Sequence, residues 1–169
     1  EFEEGGVTVT PIAISAGQIA ELESLLTLCY TGQARMSSNL HENVWGGFRA
    51  GKREVVDSLF QLRDSAYRAK EHLESGDWEQ FGPLLNLQHQ CAKRLDASLS
   101  NERVEAIFEM VRPHIIGGKC CGAGGGGCML FLSPSPQEQA RVANLLRAND
   151  IQLIDFHFAP DGLTVTRDA

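Results

Sequence analysis

The stretch Gly122-Ala123-Gly124-Gly125-Gly126-Gly127 places glycine at five of six consecutive positions, directly ahead of the apolar run Cys128-Met129-Leu130-Phe131-Leu132. Glycine lacks Cβ, adopts positive φ, and lets a ligand or another chain reach its amides. Ordering such a run costs roughly 0.5–1 kcal/mol per glycine relative to alanine. A tight connection between two strands is the bland reading, but one or two glycines would serve that purpose, so the run reads as a functional loop held by a rigid neighbour. Backbone amides in a glycine loop create positive potential without net charge, which suits an anionic small ligand such as phosphate.

Two phosphate-binding patterns can be tested on spacing. The Walker arrangement needs lysine and a hydroxyl residue after the last glycine, whereas Gly127 precedes Cys128-Met129. The dinucleotide fingerprint needs the glycines to open a helix, whereas an apolar strand follows here. Neither pattern fits.

The other reactive side chains form no self-contained set. Histidines at 41, 72, 89, 114 and 157 have no metal-ligand spacing, and His41, His72 and His89 fall on predicted helices in solvated or structural roles. Asp96 stands alone. Cysteines at 29, 91, 120, 121 and 128 contain no C-x-x-C pair, and read as reduced thiols packed as small apolar residues beside strands. No metal site and no catalytic group are expected within the chain.

These residues sit in 169 positions that are 43% apolar and 22% charged, enough for one domain with its own core. The net charge of −7, with basic residues spread along the chain, excludes general nucleic-acid affinity. No apolar run approaches the roughly 20 residues that cross a bilayer, and no membrane association is expected. The acidic start Glu1-Phe2-Glu3-Glu4 is unlike a signal or transit peptide and lacks Met. The expectation is a cytoplasmic protein, and a fragment of a longer one.

The positioning elements follow from periodicity. Residues 7–14 read as an edge strand interrupted by Pro11, Ile19 to Leu22 as a turn of helix, and Leu25 to Tyr30 as a buried strand. A helical pattern carries Met36, Leu40 and Val44, with Gly46-Gly47 ending or loosening it. A second helix runs from Arg53 to about Glu74 on the stripe Val55, Leu59, Leu62, Ala66, Ala69 and Leu73. Asp77 caps a third helix ending near Leu95 with Trp78, Phe81, Leu85 and Cys91 inward. Ser100 caps a fourth with Val104, Ile107, Phe108 and Val111 inward, and Pro113 closes it. Strands at Lys119 to Cys121 and Cys128 to Leu132 flank the glycine loop. Ser135-Pro136-Gln137-Glu138 opens a fifth helix to Ala148. Gln152 to Phe158 alternates as a strand, Pro160-Asp161-Gly162 turns, and Leu163-Thr164-Val165 ends the sheet. The sum is α+β: an antiparallel or mixed sheet with helices on one side and a helical bundle inserted between its first and second strands.

Lys119-Cys120-Cys121-Gly122-Ala123-Gly124-Gly125-Gly126-Gly127-Cys128 resembles the third signature motif of the GHMP kinase superfamily, the small-molecule kinases. Leu28-Cys29-Tyr30-Thr31-Gly32-Gln33-Ala34-Arg35 resembles the tyrosine-threonine-glycine segment of its sugar 1-kinase branch, the L-fucokinases and D-glycero-D-manno-heptose 7-phosphate kinases. Leu95 to Asn101 and the ending Asp161-Gly162-Leu163-Thr164-Val165 are similar to that branch as well.

The resemblance implies a ferredoxin-like C-terminal domain at residues 25–169, with residues 1–24 the tail of the preceding kinase domain. It implies a parent enzyme that transfers the γ-phosphate of ATP, with Mg²⁺, to the anomeric hydroxyl of a sugar or sugar phosphate. Gly122, Ala123, Gly124, Gly125, Gly126 and Gly127 would then lie against the nucleotide-phosphate loop of the missing N-terminal domain. Thr31, Gly32 and Arg35 match the branch motif, with Arg35 reaching substrate hydroxyls or a phosphate, or else serving as a surface salt bridge or helix cap. The rival is a non-catalytic ferredoxin-like binding or assembly module whose glycine loop meets an anion or a partner. The surface that met a missing half should be apolar and exposed, so a homodimer is expected. The phosphate loop and the catalytic Asp and Lys of the family match no segment here. The isolated 169 residues are therefore expected to show no ATP-dependent sugar phosphorylation in a coupled assay; measurable turnover would contradict this.

Overall fold

The computed structural model describes residues 2–3, 5–33, 40–122, 124–159 and 165. Its centre is a four-stranded sheet of β3 (Leu26–Tyr30), β4 (Gly117–Cys120), β5 (Cys128–Leu132) and β6 (Gln152–Leu153), ordered β4-β5-β3-β6. Every pairing in it is antiparallel. Between β3 and β4 run α2 (Leu40–Arg49), α3 (Arg53–Ser75), α4 (Trp78–Leu95), a 3₁₀ turn (Ala97–Leu99) and α5 (Glu102–Val111); α6 (Pro136–Ala148) joins β5 to β6. A β-α-β-β-α-β path whose first and third strands lie in the middle is the ferredoxin-like arrangement, so the α+β expectation holds, with the helical insertion before α5, but helices cover both faces of the sheet rather than one.

Strand periodicity divides the core. β3 and β5 pair from Leu26 opposite Leu132 to Tyr30 opposite Cys128. Cys29, Met129 and Phe131 therefore share a face with Cys120, and pack on Val104, Ile107, Phe108 and Val111 of α5 and Val142 and Leu146 of α6. On the other face Leu26 and Leu132 meet Leu22 and Leu25 of α1 (Ala16–Leu25) and Trp78 and Leu85 of α4.

The outer edge of β4 is covered by α4. Asn86 acts as a substitute strand: its Oδ1 accepts from the Gly118 amide at 3.0 Å and its Nδ2 donates to the Ile116 carbonyl at 3.2 Å. An open row of amides invites pairing with other chains; one side chain here satisfies both polarities. The helix gets that close because glycine faces glycine. A Cβ on Gly117 would lie 1.9 Å from the Gly82 carbonyl oxygen.

Several sequence expectations need correction. Of residues 7–14 only Val7 is in a strand, pairing β2 (Gly6–Val7) with β1 (Phe2–Glu3); the rest follow no regular structure, with Val9 and Ile12 exposed. Their β-branched alternation has no sheet to pack on, and Pro11 has no amide to donate. The predicted turn at Ile19 to Leu22 is a ten-residue helix, α1, whose capping box is made by Ser15 and Gln18. Gly46 and Gly47 lie in the last turn of α2, which runs two residues further to Arg49, and their carbonyls accept from Ala50 N and Lys52 N. The buried line of α3 is Val55, Ser58 and Ser65, not the full aliphatic stripe; Ala66 is exposed. After Leu153 the chain makes one more sheet bond, from Ile154 N to Leu28 O, then leaves for Glu23, which accepts from the Phe158 amide. The Pro160-Asp161-Gly162 turn and Leu163-Thr164 lie outside the described residues, and Val165 is exposed. Among the described residues no helix is long and apolar enough to cross a membrane.

Gly117→Ala should lower the urea unfolding free energy by about 3 kcal/mol through overpacking against α4. Gly46→Ala, with nothing within 4 Å of its Cβ position, should raise it by roughly 0.5–1 kcal/mol.

Candidate functional site

The glycine loop connects β4 to β5, and its base is closed by the bond from Cys121 N to Cys128 O at 2.8 Å. Beyond that base two glycines are tied down on both of their backbone groups. Gly127 donates its amide to the Gln33 carbonyl at 2.7 Å, and its carbonyl accepts from Thr31 N at 2.8 Å. Gly125 donates to the Leu99 carbonyl at 2.7 Å, and its carbonyl accepts from Asn101 Nδ2 at 2.8 Å. Leu99 and Asn101 belong to the turn into α5, while Thr31 and Gln33 follow directly on β3. The loop is thereby sewn to two elements that the sheet already holds.

The anchors alternate with amides that are not consumed. Among the described residues Gly122, Gly124 and Gly126 donate their amides to no acceptor. Positive φ at Gly122, Gly124, Gly125, Gly126 and Gly127 makes the alternation feasible. Gly124 and Gly126 are also fixed by contact: a Cβ on either would lie 2.8 Å from a carbonyl oxygen, that of Leu99 or Gln33.

The other residues expected at the site divide. Thr31 is 2% exposed, and its Oγ1 accepts from Gln33 N at 3.3 Å, so its hydroxyl shapes the turn after β3. Gly32 is exposed with φ of 82°. Arg103 of α5 directs Nε at the Thr31 carbonyl, 3.4 Å away. Arg35 and Ala123 lie outside the described residues.

Asn101 was missed by sequence reasoning, which assigned the α5 cap to Ser100. Asn101 Oδ1 accepts from Val104 N at 3.0 Å, and Ser100 Oγ instead donates to Glu105. Serine and asparagine cap equally well, and neither is followed by a Glu or Gln three residues on that would mark one of them. Glu105 also pairs with Lys93 Nζ at 2.7 Å and lies 3.6 Å from His89 Nε2. Burial pushes the Glu105 carboxyl up, but its bonds to Lys93 and Ser100 outweigh this and hold it below the ordinary range. Burial holds the His89 imidazole below its ordinary value against the pull of Glu105.

A groove of about 420 Å³ opens beside the loop at Gly122 and Gly124, lined by Leu62, Ala92, Leu95 and Leu99 together with His89 and Lys119. A larger cavity of about 510 Å³ lies between α6, β3 and the chain after β6, with no residue of the loop in its wall. Size alone would choose that one; the unpartnered amides mark the loop. All five cysteines are free, and burial pushes the thiols of Cys29 up to about 12 and Cys120 up to about 11 and raises those of Cys91 and Cys121, which disfavours the nucleophilic thiolate at these four. Among the described residues no three His, Cys, Asp or Glu side chains gather as metal ligands. Among the described residues the loop thus sets two amides without acceptors, those of Gly122 and Gly124, beside the groove, with no cluster of metal-ligating side chains.

Residues 69–152 match the family model described as GHMP kinases C terminal. The chain is 29% identical over 138 residues to the bifunctional fucokinase/GDP-fucose pyrophosphorylase of Arabidopsis thaliana, covering 82% of this chain and 13% of that protein. It is 25% identical over 158 residues to the D-glycero-alpha-D-manno-heptose 7-phosphate kinase of Campylobacter jejuni, covering 93% of this chain and 46% of that one. In structure it resembles the mevalonate kinase of L. major, with a TM-score of 0.73 at 22% identity over 89% of this chain and 46% of that chain. The chain thus spans less than half the length of these relatives.

Gly126→Ala, with φ of 148° and a carbonyl in its way, should cost roughly 3 kcal/mol in urea unfolding. Gly122→Ala, with φ of 65° and open space, should cost only about 1 kcal/mol.

Proposed function

We propose that this chain, whose residues 69–152 match the GHMP kinases C terminal model, supplies one wall of the active-site cleft of an ATP-dependent sugar kinase. The observation that carries this reading is the glycine loop, sewn down at Gly125 and Gly127 with unpartnered amides at Gly122 and Gly124 beside the groove. Preorganised donors that need no rearrangement are what phosphoryl transfer asks of its surroundings, because its catalysis is mostly positioning and charge stabilisation.

The relatives named as fucokinase and heptose 7-phosphate kinase support an acceptor that is a sugar or sugar phosphate, phosphorylated at its anomeric hydroxyl. On this reading residues 25–169 close against an N-terminal domain to which residues 1–24 lead. MgATP bound to that domain would provide the phosphoryl group. The described residues offer no metal-ligand cluster, so the chain's own part is to bring amides to the phosphates and to exclude water. On this reading Gly32, beside the pinned Thr31, and Arg35, assigned by the sequence motif alone, would serve the acceptor.

The full-length parent protein, assayed with MgATP, should phosphorylate L-fucose or D-glycero-D-manno-heptose 7-phosphate at the anomeric position, read by ³¹P NMR of the product. Phosphorylation of mevalonate alone would refute the sugar assignment; no phosphoryl transfer to any of the three would refute the kinase reading.

A further inference from the structure

We infer that Asn101 is a positioning residue that sets the glycine loop in register, beyond its duty as a helix cap. Both amide hydrogens and the oxygen of its side chain are engaged. Oδ1 accepts from Val104 N at 3.0 Å and caps α5, while Nδ2 donates to the Gly125 carbonyl at 2.8 Å and to Gln33 Oε1 at 3.3 Å. The partners fix the amide orientation: a flipped group would set its NH₂ against the Val104 N–H and its oxygen against the Gly125 carbonyl.

Those contacts join the loop's two anchor points. Gly125 is bound by Leu99 and Asn101, Gly127 by Gln33 and Thr31, and the Asn101 to Gln33 bond links the pairs. One side chain therefore couples the N-terminus of α5, the end of β3 and the centre of the loop. Any helix cap from the Ser, Asp or Asn set would hold α5. The second task needs a donor: Asp offers none, and a Ser hydroxyl is too short to cap Val104 and reach Gly125 together.

The substitution series separates the two roles. Asn101→Ser and Asn101→Asp keep a cap acceptor and remove the Nδ2 donors; Asn101→Ala removes both. In the 169-residue chain, Ser and Asp should melt a few degrees below the unsubstituted protein, because the carbonyl of buried Gly125 loses its donor, and Ala lower again, as loss of a cap costs about 1 kcal/mol more. All three should shift the ¹⁵N–¹H resonances of Gly125 and Gly127. In the full-length protein, a part of the test that rests on the kinase reading, Ser and Asp should lower kcat by roughly tenfold or more while leaving the KM for the sugar within about twofold. Unmoved Gly125 and Gly127 resonances in Ser and Asp would overturn the inference. So would melting temperatures in Ser and Asp equal to that of the unsubstituted protein, since Asn101 would then be a cap and nothing more. Shifted resonances with a wild-type protein that transfers no phosphate would uphold the positioning role and refute only the kinase reading.

Discussion

Two glycines hydrogen-bonded on both sides decide what this loop is. Glycine runs are cheap to bend and costly to order, so a loop of this composition is rigid only where other backbone groups take up its amides and carbonyls. Gly125 and Gly127 are bound in this way by groups from the turn into α5 and from the end of β3. With alternate residues bound inward, the amides between them are left without acceptors, and the composition that would make a slack connection becomes a preorganised strip.

The strip is only as rigid as the elements that anchor it. β3 is central in the sheet, paired on one side with β5 and on the other with β6. α5 is fixed by Val104, Ile107 and Val111, each with 0% exposure beneath the sheet. β4, which carries one end of the loop, would be an open edge, but Asn86 and the Gly82 to Gly117 contact lock α4 onto it. That helix also brings in His89 and Lys93, which with Ser100 surround Glu105 on the first turns of α5. The inserted helices therefore bear on the loop through α5 as well as through β4.

Most of the fold was legible because its signals are local. The caps at Asp77 and Ser135, the stripe Val104, Ile107, Phe108 and Val111, and the apolar run Cys128 to Leu132 all carry their meaning within a few residues. The failures are where the outcome depends on distant partners. Residues 7–14 alternate like a strand, yet past Val7 they find no strand to pair with. The centre of α3 buries serines where aliphatic spacing alone would choose leucines. The site was half legible: glycine content located the loop, but which glycines are anchors depends on carbonyls of Gln33 and Leu99, far away in sequence. Thr31 was selected with the right segment for a different reason from its buried role in the turn. Asn101 was invisible, since its second duty lies across a contact that no spacing rule encodes.

The most direct test of the alternating loop is amide hydrogen exchange resolved residue by residue by NMR on the 169-residue chain. Gly125 and Gly127 should exchange as slowly as the neighbouring residues of β4 and β5, and Gly122 and Gly124 far faster, because only the first pair gives its amides to protein carbonyls. Uniformly fast exchange from Gly122 to Gly127 would contradict a preorganised loop and leave only a flexible connection between two strands.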